Sequence, residues 1–257
     1  MWDSVATAAR GALGMRYKMM QVLYTLMWKA NVAGDTVARY MWINFPEDEN
    51  THAVDEQFML GDGILVTPVV EEGAREVEGY FPRGLWYNLF SREMLDSEGE
   101  KITLSAELEE VNVHVLGGSI LGLKTDGGMT TVDSAMSGYE IVVALGREGS
   151  SVGELYVDDN NSVDVGDNFL RVKMSAKDGS FVSDVEGGKY EGEENNLEVD
   201  SVVVLGGAKV PEGKTVSVSV GGKKGGEAPW SVGKAGDLIV DLTGIEVGVG
   251  ESFSLEY

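Results

Sequence analysis

The sequence predicts a mainly β protein in which one long N-terminal helix is followed by two β-sandwich domains. Three observations lead to that class. Apolar residues recur at three- and four-residue steps across residues 3–33, and no second helical pattern of that length follows. From Val37 the period drops to two, in short runs separated by Gly-rich or acidic turns, which favours sandwiches over βαβ units. Residues 125–137 (TDGGMTTVDSAMS) are small and polar and divide these runs into two sets. The expected domains are a helical segment at 1–36, a proximal sandwich at 37–124 and a distal sandwich at 137–257.

Asp3 or Ser4 can cap the helix, and Gly34 ahead of Asp35 supplies its stop. Its stripe runs through Val5, Ala8, Ala9, Leu13, Tyr17, Met20, Leu23, Tyr24, Met27 and Trp28. Core packing is the plain meaning of such a stripe; a cofactor or lipid site is the sharper alternative. Gly11 and Gly14 each cost about 1 kcal/mol against Ala, so they either permit close packing or mark a break. So wide an apolar stripe needs a large partner and, left bare, would drive self-association. Residues 37–45 are expected as a strand ended by Pro46 and the acidic turn 47–50. The stretch 55–69 (DEQFMLGDGILVTPV) holds a buried strand at 63–69, entered through a Gly-Asp-Gly break, with further strands at 76–81, 86–89, 102–104 and 111–120. The distal set is expected at 139–144, 153–157, 169–174, 197–205, 215–220, 238–242 and 252–257.

Composition narrows the function. With 257 residues, 43% apolar and 25% charged, the chain can bury a substantial core. Its net charge of −23 is uneven. Five basic and two acidic groups in residues 1–46 give +3, leaving −26 on the remainder. Acidity of that size repels phosphate polymers and argues against nucleic acid as a partner. Cysteine is absent, so disulfide and thiol chemistry are excluded. Asn160-Asn161-Ser162 is a glycosylation triplet usable only on secretion, while Asp3 and the lack of an apolar core after it argue against a signal peptide. Residues 13–33 are no membrane span, because Arg16, Lys18 and Lys29 would each cost about 2.5–3.5 kcal/mol near the bilayer centre.

Several phrases, taken in order, resemble glycoside hydrolase family 31, the α-glucosidase family. Arg16-Tyr17 with Leu23-Tyr24-Thr25-Leu26 is similar to the family's "RY-LLPYLYTL" helix, and Val37-Ala38-Arg39 with Phe45-Pro46-Glu47-Asp48 to "VARPLFFEFPED". Residues 57–62 and 65–69 resemble "QFLLGDALLVTPV", and Tyr80-Phe81-Pro82 with Trp86-Tyr87-Asn88 resembles "YFP-G-WYD". His114-Val115 with residues 117–120 is similar to "HVRGGSI", and residues 153–159 to "GELYLDDG". Together they cover most of residues 2–206. Departures are Gln21-Val22 for Pro-Tyr, Tyr40 and Gly122 for Pro, Leu116 for Arg, and Asn160 for Gly.

The resemblance implies that residues 1–36 are the terminal helical segment of a (β/α)8 catalytic barrel, whose missing remainder packs on residues 3–33. It implies a retaining glycosidase, whose two carboxyls stand about 5–5.5 Å apart. In the family both are aspartates upstream of the segment matched by Trp2, as are its transition-state arginine and substrate-orienting histidine. No catalytic, cofactor-binding or metal residue is therefore assigned to this chain, which alone is expected to be inactive. The run 141–146 resembles the maltase branch, implying an oligosaccharide substrate with terminal α-1,4-linked glucose, and secretion or an acidic vacuolar or lysosomal compartment. The competing reading is a non-catalytic carbohydrate-binding or interaction module.

Local candidates point the same way. Neighbours in a strand or turn point apart, so Asp158-Asp159 makes a poor dyad and a turn role is expected. Asp158, Asn160, Ser162 and Asp164 suggest a calcium loop, but Val163 and Phe169 stand where an EF-hand needs Gly and Glu. His52 and His114 are too few for a zinc triad, and His114 is expected as a satisfied structural histidine in a strand. Residues 207–215 nearly spell a phosphate loop, with one residue too many between the glycines and a strand pattern after it. Trp42, Trp86 and Trp230 are either a sugar-stacking platform or buried core.

Overall fold

The computed structural model describes residues 3–126, 128–190, 192, 197–207 and 215–257. The single long helix expected is two shorter ones, α1 (Asp3–Lys18) and α2 (Met20–Ala33). They part at Met19, whose ψ of −4° lies well off the about −42° of an α-helix. Burial explains the division. Met19 and Val22 enter a core formed with the sheets, flanked by Met15 and Leu26, whereas no residue of α1 is buried. The covered face is therefore 15-19-22-26 rather than the expected stripe, of which Val5, Leu13 and Met27 are exposed. Gly11 and Gly14 neither break the helix nor admit a neighbour: both lie within α1, and a Cβ on either meets nothing within 4 Å. Gly34 ends α2 as expected, at φ +71°.

The strand expected over 37–45 shrinks to β1 (Ala38–Arg39), because Tyr40 opens a helical turn, α3 (Met41–Asn44). The turn buries Met41 completely and closes with the Phe45 N–H bonded to the Met41 carbonyl. Arg39 is itself buried and pairs with Asp35 (2.7 Å) and Asp62 (2.9 Å), the Asp of the Gly-Asp-Gly break. Phe45 returns to φ −128°, as the residue before a proline prefers.

β2 (Phe58–Leu60), β3 (Ile64–Thr67), β5 (Gly84–Asn88), β6 (Met94–Ser97) and β8 (Asn112–Leu116) join β1 in a six-stranded sheet of order β1-β2-β3-β8-β5-β6. β4 (Glu76–Phe81) and β7 (Glu100–Ser105) pair separately, and Tyr80 and Phe81 of β4 meet Met59, Leu65 and Trp86 of the sheet in one core. The expected strand 111–120 is two. Gly118, at φ +104°, turns the chain out of β8 and into β9 (Ser119–Lys124), which belongs to the other sheet.

After a short helix, α4 (Thr131–Ala135), come β10 (Tyr139–Ala144), β11 (Ser150–Val157), β12 (Leu170–Lys177), β13 (Ser180–Gly187), β14 (Val199–Leu205), β15 (Val216–Val220), β16 (Lys223–Ala228), β17 (Trp230–Val232), β18 (Leu238–Asp241) and β19 (Phe253–Glu256). With β9 they form an eleven-stranded sheet, order β16-β15-β19-β13-β12-β11-β9-β10-β14-β18-β17. Its middle strands are buried on both faces. Ile141 and Val143 of β10, and Val202 and Val204 of β14, enter the distal core. Val142, Ala144, Val203 and Leu205 enter the core beneath α2 and the six-stranded sheet. This two-sided burial is why these strands are unbroken apolar runs.

β9 and β11 run parallel and pair at only two positions, Val152 with Ser119 and Gly153 with Ile120. A Cβ at Gly153 would collide with the Ile120 carbonyl oxygen, a backbone atom that cannot rotate away. Gly153→Ala should therefore destabilise the chain by about 3 kcal/mol or more, whereas the same change at an open site stabilises by about 0.4–1 kcal/mol. A urea melt that moves less than 1 kcal/mol would show that the strands part without cost.

Candidate functional site

The most constructed place in the chain is the junction of α2 with β11. Beyond Gly153 the parallel strands diverge, and α2 lies against both. Tyr156 is then left with its backbone turned from β12 toward the helix, where Gln21 Nε2 donates to its carbonyl (2.6 Å) and its N–H donates to Thr25 Oγ1 (3.2 Å). The Thr25 hydroxyl itself donates to the Gln21 carbonyl (3.0 Å). Two buried polar side chains thus finish a strand edge that no strand completes.

Aromatic rings and charges extend the junction. Trp28 stacks on Tyr156 at 4.7 Å and 7°, Tyr156 lies 5.7 Å from Phe169, and the Arg171 guanidinium sits 5.5 Å over Trp28. Glu154 accepts from Lys29 (3.3 Å) and from Arg171. Burial raises its pKa, but the Arg171 hydrogen bond and the Lys29 charge outweigh it and hold the carboxyl below the usual range. Tyr24 donates to Asp158 (2.6 Å), and burial together with that carboxylate pushes the phenol well above its ordinary pKa. A groove of about 730 Å³ opens beside the junction, between α2, the 117–122 turn and strand, and β11 to β13. Its charges are engaged: Lys29 with Glu154, Lys173 with Glu186 (2.7 Å), and Asp184 with the Ser252 hydroxyl (2.8 Å). A general acid needs a carboxyl with a raised pKa. Glu154 is driven the other way, and its pairs with Lys29 and Arg171 tie α2 to β11 and β12.

The structure separates the candidate residues. Asp158 is buried and serves Tyr24 and the Asn160 N–H (2.8 Å). Asp159 faces its own turn, accepting from Asn161 N–H (3.1 Å), Ser162 N–H (2.8 Å) and the Ser162 hydroxyl, which lowers its pKa. Asn160 holds φ +53°, which explains why the similar family phrase has Gly there and why Asn, tolerant of left-handed backbone, replaces it. Asp164 caps the Gly166 N–H (3.1 Å). Among the described residues no three His, Asp or Glu side chains gather around a common point. Trp86 is fully buried and donates to the Pro82 carbonyl (2.9 Å), while Trp42 lies half-exposed on α3 and Trp230 on an edge strand of the other sheet. Of the phosphate-loop-like segment, residues 208–214 lie outside the described residues. His52 is exposed, with Nε2 3.2 Å from the Pro46 carbonyl. His114 departs from expectation: it is buried against the Phe81 edge (5.0 Å), and its Nδ1 has no hydrogen-bond partner. Gln21 and Thr25, the residues that matter most here, carry no sequence signal except that polar side chains sit at i, i+4 on an apolar helix.

Residues 34–121 match the glycosyl hydrolase family 31 C-terminal domain. The whole chain aligns at 34% identity with a probable α-glucosidase of Oryza sativa subsp. japonica, covering 31% of it. The chain belongs to glycoside hydrolase family 31 and carries its C-terminal portion. A lysosomal α-glucosidase of Mus musculus is 37% identical over 81% of the chain and 24% of its own length. The chain thus spans under a third of these relatives. Its fold is that of a glucosidase II α subunit (TM-score 0.85, 22% identity, 94% of this chain and 28% of that one) and of a Flavobacterium johnsoniae GH31 dextranase (TM-score 0.72, 21% identity, 94% and 31%). In this family 31 portion no described helix is long and apolar enough to cross a membrane.

Gln21→Leu strands the Tyr156 carbonyl and Thr25→Val its N–H, each costing about 1–3 kcal/mol. Urea denaturation of the singles and the double should show them coupled; two losses below 0.5 kcal/mol would mean that α2 is held by something else. Burial lowers the His114 pKa from 6.5 to about 4. The folded state then refuses a proton that the unfolded chain binds. Stability is complete above about pH 6.5 and falls as pH drops toward 4, by about 3 kcal/mol in all. His114→Leu should flatten that slope; an unchanged slope would assign it to other groups.

Proposed function

We propose that this chain is the C-terminal part of a retaining α-glucosidase. The complete enzyme removes terminal α-linked glucose from maltose and related oligosaccharides, using two carboxyls on a barrel upstream of the residues here. The observation that carries the reading is the bare side of α1 and α2. Val5, Leu13, Met27 and Val32 are 42–59% exposed, in a chain that spans under a third of its α-glucosidase relatives. A helix that buries none of its residues and exposes Val5 and Leu13 fits a partner that would cover it. The barrel to which this helix pair would belong is the partner that fits. In this reading the two sandwiches brace the barrel, and α2 couples them to it through the Gln21 and Thr25 bonds. The lysosomal relative and the family resemblance favour secretion or an acidic vacuolar or lysosomal compartment.

The 257-residue chain should show no turnover of maltose or a nitrophenyl α-glucoside, whereas the protein made from the complete transcript should hydrolyse both. Turnover by the chain itself, surviving Asp158→Asn and Asp159→Asn, would overturn this reading.

A further inference from the structure

The polar stretch between the two sets of strands carries a helix turned inside out. α4 buries Ser134 completely and exposes Val132 at 70% and Met136 at 42%, with Met129 just before it at 90%. Val132 and Met136, four residues apart, share one face. This is the reverse of a surface helix, whose apolar residues face the core. Nor is α4 loosely held. Thr130 and Asp133 form a reciprocal capping box, the Ser137 hydroxyl bonds to the Ser134 carbonyl (3.0 Å), and the buried Lys124 ammonium bonds to the Ala135 and Ser137 carbonyls (2.8 and 3.2 Å). The buried Ser134 hydroxyl has no partner, so its burial gains nothing that would account for the orientation. α4 is fastened by its polar side with three apolar side chains held out.

α4 stands beside α1 and α2, with Met129, Val132 and Met136 outside the cleft between them. α4 touches α1, and Thr131, Ser134 and Ala135 form one wall of a cleft of about 290 Å³. Tyr17, Met20, Leu23, Tyr24 and Met27, the outer side of α1 and α2, form the other wall. We propose that α4 is a third docking element for the catalytic barrel, continuous with α1 and α2, so that the connector between the sandwiches grips the barrel directly. This rests on the functional reading above, in which α1 and α2 carry that barrel.

Amide hydrogen exchange on the 257-residue chain and on the complete protein tests it. Amides of residues 129–136 and of α1 should both exchange at least tenfold more slowly in the complete protein. Protection of α1 without 129–136 would overturn this inference and leave the functional reading standing. Protection of neither, or a transcript encoding no barrel, would overturn both. Val132→Glu should leave the melting of the isolated chain unchanged, since the residue is exposed, and lower that of the complete protein by about 3 °C. An equal effect on both would mean that the side chain serves only its own domain, and the inference would fail.

Discussion

The whole arrangement depends on one unfinished strand edge. β9 and β11 are parallel neighbours that separate after two paired residues, and the backbone of Tyr156 is left facing inward without a strand to bond it. Unpaired buried peptide groups are too costly to leave. Gln21 and Thr25 supply the missing donor and acceptor from a helix, which fixes the position of α2 and its rotation about its own axis. Once that rotation is set, Trp28 must lie on Tyr156 and Lys29 must reach Glu154. Met20, Leu23 and Met27 must then turn to the side that the sheets do not cover.

A second constraint joins the two sandwiches. The central strands of the large sheet feed alternate side chains into two different cores, one distal and one shared with the six-stranded sheet and α2. Neither core can be loosened without the other losing a wall. The phrases shared with family 31 sit at the chain's close approaches. Gly61 leaves room for Leu26 of α2, Gly63 for Ser119, and Gly117 for the Leu145 carbonyl. Asp48 accepts from Tyr80 (2.6 Å), tying the "FPED" phrase to the "YFP" phrase as Arg39 ties β1 to the Gly-Asp-Gly break. These phrases sit at packing contacts, and Glu154, Asp158 and Asp159 each serve a partner within the fold.

Much of this was legible beforehand, and the errors have common causes. The mainly β class, the stop at Gly34, the opposed Asp158 and Asp159 and the identity of the family all follow from local pattern or from phrases in register. Several strands were missed or misjudged: β2, β6, β13, β16 and β17 were not anticipated, and 37–45 was read as extended. Four of those five are three or four residues long or interrupted by paired glycines, so that no period registers. At 37–45 the alternating burial of Arg39 and Met41 is what a strand would show, so the helical turn at Met41–Asn44 leaves no mark in the local pattern.

By itself the sequence determined the class of fold, the family and the likeness of each phrase, because turn residues, periodicity and ordered motifs act over short distances along the chain. Only the tertiary structure decided which face of α2 is covered, that Met19 divides the helix, that Gln21 and Thr25 complete a strand edge, and that α4 displays its apolar side. Each of those depends on a backbone group or a surface more than a hundred residues away or across a sheet, and no local pattern encodes where such a partner will stand.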